Sequence, residues 1–190
     1  MAGPEVVRDM GDTLVTILQA GIPPALVPAA RIMVATPDEF SGLEDPPQPT
    51  VTVFLYRTTV VPSVRNAPKR LRPDGRVMRQ ALPLELSYLI TPWARQTRDE
   101  LLIAGRILQV LHDRAELGAT DLVGASWEPT DTVQLAFESL PLEDHYRIWD
   151  ANTVSYRLSL TYTARVIHIA ATDPIGGPPV ISADFEVALT

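Results

Sequence analysis

Apolar residues recur along this chain with two different periods, and the switches between them mark its elements. Val7, Met10, Leu14 and Ile17 follow Pro4 at intervals of three or four, which predicts a helix over residues 4 to 20 closed by Gly21, Pro23 and Pro24. "ARIMVAT" (30 to 36) predicts a first strand, and the acidic, proline-rich "PDEFSGLEDPPQPT" reads as an exposed connection. "TVTVFLYRTTV" (50 to 60) is a strand pattern with Val51, Val53 and Leu55 on one side and Phe54 and Tyr56 on the other. Both of its faces are apolar, so it is expected to be central in its sheet.

"LPLELSYLI" (82 to 90) alternates Leu84, Leu86, Tyr88 and Ile90 against Glu85 and Ser87, as a half-buried strand does. The intervening residues are then the connection between two neighbouring antiparallel strands. Thr97 and Glu100 have the spacing of a capping box before "LLIAGRILQVLHD". One apolar edge of that helix is Leu101, Ala104, Leu108 and Leu111, and the other is Ile103, Ile107 and Val110. So wide a face predicts burial under more than one neighbour.

"DTVQLAF" (131 to 137) is a strand pattern with Val133, Leu135 and Phe137 inward, and Pro141 and Glu143 open a short helix through Trp149. Residues 154 to 169 predict the longest strand. Val154, Tyr156, Leu158, Leu160, Tyr162, Ala164 and Val166 face its core, with a change of register at Ile167 and Ile169 that marks a bulge or a second covered face. The tail from residue 172 begins as a Pro/Gly linker and ends in the strand-like "DFEVAL", the kind of segment that adds to a neighbour's sheet edge. The expected fold class is α+β, with a mostly antiparallel sheet of four to five strands packed by helices at 4 to 20 and 97 to 113. Residues 1 to 171 form the domain and 172 to 190 the linker and tail.

At 190 residues and 46% hydrophobic composition the chain is long enough to bury a core without staples, and it has no cysteine, which excludes disulfides and thiolate metal sites. The net charge is -7, but its distribution matters more than its sum. Residues 65 to 79 carry Arg65, Lys69, Arg70, Arg72, Arg76 and Arg79 against one acid, Asp74, for +5, which leaves -12 for the remainder. At roughly twenty residues, this connection exceeds the usual structureless loop, which points to a functional or disordered segment. No basic, apolar, small-residue leader opens the chain, so it is expected to be made and kept inside the cell, or to leave it by lysis. No run approaches the about 18 apolar residues of a spanning helix.

Candidate chemistry is sparse. His112, His145 and His168 are far apart and lack ligand spacing, and only Asp144 and His145 set acid beside base. Adjacent helical residues point about 100° apart, so Asp144 is poorly placed to orient His145. No phosphate-binding glycine loop, H-E-x-x-H or G-x-S-x-G motif occurs, so no catalytic residue, metal or cofactor is expected. The basic segment could clamp phosphates with release of counterions. It contains no aromatic for base stacking, however, and the acidic remainder opposes a polyanion. A solvated loop, or one docked on an acidic partner, fits better, and nucleic acid and membrane are not expected.

Four stretches in order carry a resemblance: "TVFLYRTTVVPSVRN" (52 to 66), "LPLELSYLITPWA" (82 to 94), "LLIAGRILQVLHD" (101 to 113) and "LPLEDHYRIWDANTVSYRLSLTYTARVIHI" (140 to 169). Their order and spacing over about residues 5 to 170 resemble the cap-protein, or tail-terminator, family of phage-tail-like extracellular contractile injection systems. The resemblance implies a six-fold homo-oligomeric ring that closes the distal end of an inner tube and contractile sheath and has no catalytic role. Tube and sheath proteins would be its partners. A neck or baseplate position in the same particle is the structural alternative. A small enzyme built on His145 and Asp144, or a nucleic-acid binder using residues 65 to 79, are alternatives of a different class. The segments 66 to 81 and 172 onward depart from the family pattern. Contact residues there, Arg65, Lys69, Arg70, Arg72, Arg76 and Arg79 with Phe185 and Val187 of the tail, are assigned from charge and strand pattern.

Overall fold

A computed structural model describes residues 3–62, 70–71, 77–78, 80–151, 154–171 and 174–175. Its elements are α1 (Val6–Gly21), β1 (Arg31–Val34), α2 (Pro37–Phe40), β2 (Thr50–Val60), β3 (Arg70–Leu71), β4 (Val77–Met78), β5 (Leu82–Trp93), α3 (Thr97–Asp113), β6 (Glu116–Leu117), β7 (Val133–Phe137), α4 (Leu142–Asp150), β8 (Leu160–Ile169) and β9 (Pro174–Ile175). One sheet of six strands runs β1-β2-β5-β8-β7-β6, antiparallel except for the parallel pair β1 and β2. The α+β class and the antiparallel pairing of β2 with β5 are as the sequence predicts. The sheet is larger than expected because the two-residue β6 extends it beyond β7.

Helices α1 and α3 cover one face of this sheet. Val6, Met10, Leu14 and Ile17 from α1 meet Ile103, Ile107 and Leu111 from α3 over Val53, Tyr88, Ile90 and Tyr162. Val6 rather than Val7 begins the buried stripe of α1. The opposite face carries a second, aromatic core. Phe40 stands 5.4 Å from Trp93, 5.7 Å from Trp149 and 5.8 Å from Phe54, ring centre to ring centre.

That second core corrects two expectations. The stretch after β1 is not simply an exposed connection: Thr36 and Glu39 form a capping box, α2 follows, and Phe40 and Leu43 are buried. Strand β5 is not half-buried either, because Ser87, Leu89, Thr91 and Trp93 on its second face are sealed beneath α2 and α4. Two of the polar groups enclosed there are partnered, the Trp93 indole donating to Thr52 Oγ1 at 2.9 Å and Thr91 Oγ1 lying 2.8 Å from Ser159 Oγ, whereas the buried Trp149 indole N–H has no hydrogen-bond acceptor among the described residues.

Two bulges set which side chains face which way. Between β2 and β5, Leu55 pairs with Tyr88 and Arg57 with Ser87, so Tyr56 is the extra residue. Between β5 and β8, Leu84 pairs with Ile167 and Leu86 with Ala164, so two residues of β8 oppose Glu85 alone. This second bulge is the register change expected at Ile167: it keeps Ile167 inward and turns His168 out to solvent. Regular strand begins only at Leu160, and Tyr156 and Leu158, expected in the core, are exposed.

Candidate assembly surfaces

Arg65, Lys69, Arg72, Arg76 and Arg79, and Phe185 and Val187 of the tail, lie outside the described residues. Arg70 lies in β3, which pairs antiparallel with β4, and β4 pairs in turn with β9. Val77 faces Ile175 and Met78 faces Pro174 across that second pair. The backbone therefore joins the basic segment to the start of the tail in one small three-stranded sheet.

Asp144 and His145 do not act on each other. Asp144 accepts a 3.0 Å hydrogen bond from Arg147, while the His145 ring stands edge-on to Tyr156, with centroids 6.1 Å apart. Burial lowers the His145 pKa. His112 and His168 are both exposed, the latter against its core-facing sequence register. Among the described residues no cluster of His, Asp and Glu has the arrangement of a metal site.

The charged groups that do converge brace the fold. Because of the bulge at Tyr56, that side chain and Arg57 both reach Glu138 beyond β7, with distances of 2.9 Å and 2.6 Å. Burial, then the bond to Glu138, pushes the Tyr56 phenol up to about 12. Arg157 crosses the second core: it pairs with Glu100, donates to the Glu44 carbonyl at 2.8 Å and lies 5.1 Å from the Trp93 ring centre. Glu100 also accepts from the Ala94 amide, so it does not reach back to a helix cap, and the expected Thr97 box is not formed.

Asp9, buried on α1, accepts from Ser126 Oγ at 2.7 Å and from Arg8 at 2.8 Å. Burial alone would raise its pKa, but the bonds from Ser126 and Arg8 outweigh it and hold the carboxyl below its ordinary value. A cleft of about 340 Å³ opens beside this clamp, and another of about 370 Å³ lies by Trp127 and His168, where Arg165 pairs with Glu85 at 2.7 Å.

Two apolar surfaces lie open on opposite faces of the sheet. On the α1/α3 side, a groove of about 490 Å³ runs between the loop after α1, with Pro23 and Leu26, and the outer face of α3, with Leu101, Leu102 and Gly105. Leu101 is 57% exposed and Leu108 is also exposed, so only Ala104 and Leu111 of this edge of α3 are buried as its periodicity predicts. On the other side, α4 buries Trp149 but presents Leu142, 63% exposed, and Tyr146, 45% exposed, one turn apart. The Tyr146 ring packs on Tyr156 at 4.7 Å. The sequence signal for this surface was the apolar stripe of α4, Leu142, Tyr146 and Trp149 at i, i+4 and i+7, of which only Trp149 is buried. Phe137, expected inward, is likewise exposed, with its ring edge-on to Tyr162 at 5.5 Å.

A protein-family comparison matches residues 9–183 to the Pvc16 N-terminal domain. The chain belongs to that family. Solved structures share the fold of this Pvc16 N-terminal domain. The PVC sheath/tube terminator of an extracellular contractile injection system, in its extended state, superposes with a TM-score of 0.67 at 20% identity, over 97% of this chain and 64% of that one. The anti-feeding prophage cap, described as a tube terminating cap, superposes with a TM-score of 0.60 at 20% identity, over 96% of this chain and 60% of that one. The present chain thus spans about three fifths of the length of these solved relatives. No curated protein matches the sequence.

Proposed function

We propose that this chain is a non-enzymatic capping subunit of a contractile injection particle, one that ends the inner tube and sheath. The observation that carries the reading is the family match across residues 9–183, joined to a shared fold over nearly the whole chain with a sheath/tube terminator. A growing tube or sheath end offers unpaired surface to each incoming layer, and a terminator occupies that surface without offering it again. That work needs interfaces rather than a catalytic centre. The charged groups of this domain accordingly brace its own fold.

In this reading the subunits form a six-membered ring at the distal end of the tube, assembled in the cytoplasm and released within an extracellular particle. Residues 1 to 171 are the capping domain. The basic residues of 65 to 79 meet acidic surface on a neighbour or on the last tube or sheath layer, and the tail with Phe185 and Val187 adds a strand to a partner's sheet. The coupling of both segments through β4 and β9 supports their acting together. The test is deletion of the gene: particles should lose their uniform length, and electron micrographs of the purified chain should show rings. Labelled protein found at the baseplate, or particles of normal length without it, would overturn the reading. Reversing the charges at Arg65, Lys69, Arg72 and Arg76 should weaken assembly several-fold while the monomer keeps its melting profile. Normal capping by that variant would remove the charge-matching role.

A further inference from the structure

Gly105 stands in the middle of α3, on its exposed face, where glycine weakens a helix relative to alanine. Nothing within the monomer requires it: a Cβ built there meets no atom within 4 Å. The absent side chain instead deepens the groove between Leu102 and the loop at Pro23 and Leu26. An unforced glycine in a helix interior, under open space and among exposed leucines, is what close approach by another molecule requires.

On the far side of the sheet the chain carries a projection of matching character. Leu142 and Tyr146 stand out from α4, and Tyr146 is held by stacking on Tyr156, so little freedom remains for it to lose on docking. The charges around the two surfaces are of opposite sign. Arg106 lines the groove with the Gly21 carbonyl and the Gln109 amide as its described hydrogen-bond partners, both uncharged. Glu143 and Asp150 lie on the same helix as the projection, while Asp144 and Arg147 between them pair with each other at 3.0 Å and leave the net charge there negative.

We infer that the groove floored by Gly105 receives the Tyr146 and Leu142 projection of a second copy of this chain, a head-to-tail contact through which subunits join. This rests on the capping reading and supplies its subunit interface. The two surfaces are different and lie on opposite faces, so the contact is heterologous: each copy uses its groove for one neighbour and its projection for the other. Such contacts close into a ring when the rotation between copies divides a full turn.

The experiment uses the full chain and two variants. Gly105→Leu fills the groove from open space, and Tyr146→Ala removes an exposed anchor, so both should keep the monomer's circular dichroism and melting profile. Each alone should lose the ring in analytical ultracentrifugation, with the contact weakened about 30-fold or more, as loss of an aromatic hot spot does. Mixed in equal amounts, they should form a dimer and nothing larger, because only the intact projection of Gly105→Leu and the intact groove of Tyr146→Ala can meet. Wild-type rings from either variant alone, or no dimer from the mixture, would overturn the inference. Normal rings that no longer cap would assign the groove to tube or sheath and overturn it equally. The capping reading fails on a separate observable, uniform particle length after gene deletion.

Discussion

Replacing Gly124 by alanine should be among the most damaging single changes in the folded domain. Gly124 has a φ of 109°, in the region that L side chains rarely adopt. A Cβ built there falls 2.1 Å from Asp9 Oδ2 and 2.8 Å from the Asp9 Cβ. The second contact is decisive, since it involves the base of a side chain on a packed helix rather than a flexible tip. The loop must move, and it carries the groups that tie residues 123–126 to α1. These are Ser126 Oγ on Asp9 at 2.7 Å, and the Val123 amide on Thr13 Oγ1 at 2.9 Å. The backbone outlier contributes about 1–3 kcal/mol. A lost hydrogen bond to a buried carboxylate contributes about 1.5–3 kcal/mol more. Together these give roughly 2.5–6 kcal/mol, a large part of the about 5–15 kcal/mol that holds an ordinary domain. Urea unfolding followed by tryptophan fluorescence measures this directly. The acid side adds a second readout. The Asp9 pKa is lowered by folding, so its contribution is complete above the unfolded value near 3.8 and is lost as pH falls through the folded value. The variant should therefore unfold at higher pH than wild type. A loss below about 1 kcal/mol with an unchanged acid midpoint would refute the proposed clamp.

Two further outcomes follow from the second core and the bulge at Tyr56. Phe40→Ala should cost about 3–5 kcal/mol and make residues 37–49 susceptible to limited proteolysis, because that ring alone joins α2 to Trp93, Trp149 and Phe54. A stable, protease-resistant variant would mean that α2 is held otherwise. Glu138→Gln should change stability by no more than about 1 kcal/mol, since Arg57 is partly exposed. It should still lower the Tyr56 pKa from its raised value of about 12, read as earlier phenolate absorbance in a spectrophotometric titration. An unshifted titration would show that Tyr56 and Glu138 are not bonded.

Legibility in the sequence followed physical scale. Strands β2, β5, β7 and the end of β8 were readable because alternation over five or more residues reports a local, repeated preference. The register change at Ile167 was visible too, since a bulge breaks that alternation. The burial of Phe40 was not, because four helical residues give no period, and their stability comes from rings about fifty and a hundred positions away. The capping signature was present twice, at Thr36 with Glu39 and at Thr97 with Glu100, but only the first folds that way. Arg157 and the Ala94 amide claim Glu100, a competition the local motif does not contain. The exposed part of the α3 face was misread for a related reason. Apolar periodicity on α3 reports a surface that avoids water, and it does so equally whether that surface meets its own chain or another.

That ambiguity also bears on how such a chain could set the size of an assembly. Strands β2, β5 and β8 are covered on both faces over their central rows, with Val53, Ile90 and Tyr88 on one side and Leu89 and Trp93 on the other. A sheet packed on both faces resists bending, since any change of twist must open one core or crowd the other. Helix α3 is fastened to one face by Ile103 and Ile107, and α4 to the other by Trp149. Groove and projection are therefore held at a fixed mutual rotation through the sheet. In a head-to-tail contact that rotation, repeated, determines the number of copies that closes the ring. If copies join as inferred above, the residues that govern stoichiometry are the buried ones between the two surfaces. Substitutions such as Leu89→Ala, remote from both, would alter ring size by tilting α4, whereas changes at Gly105 or Tyr146 would alter only whether copies join.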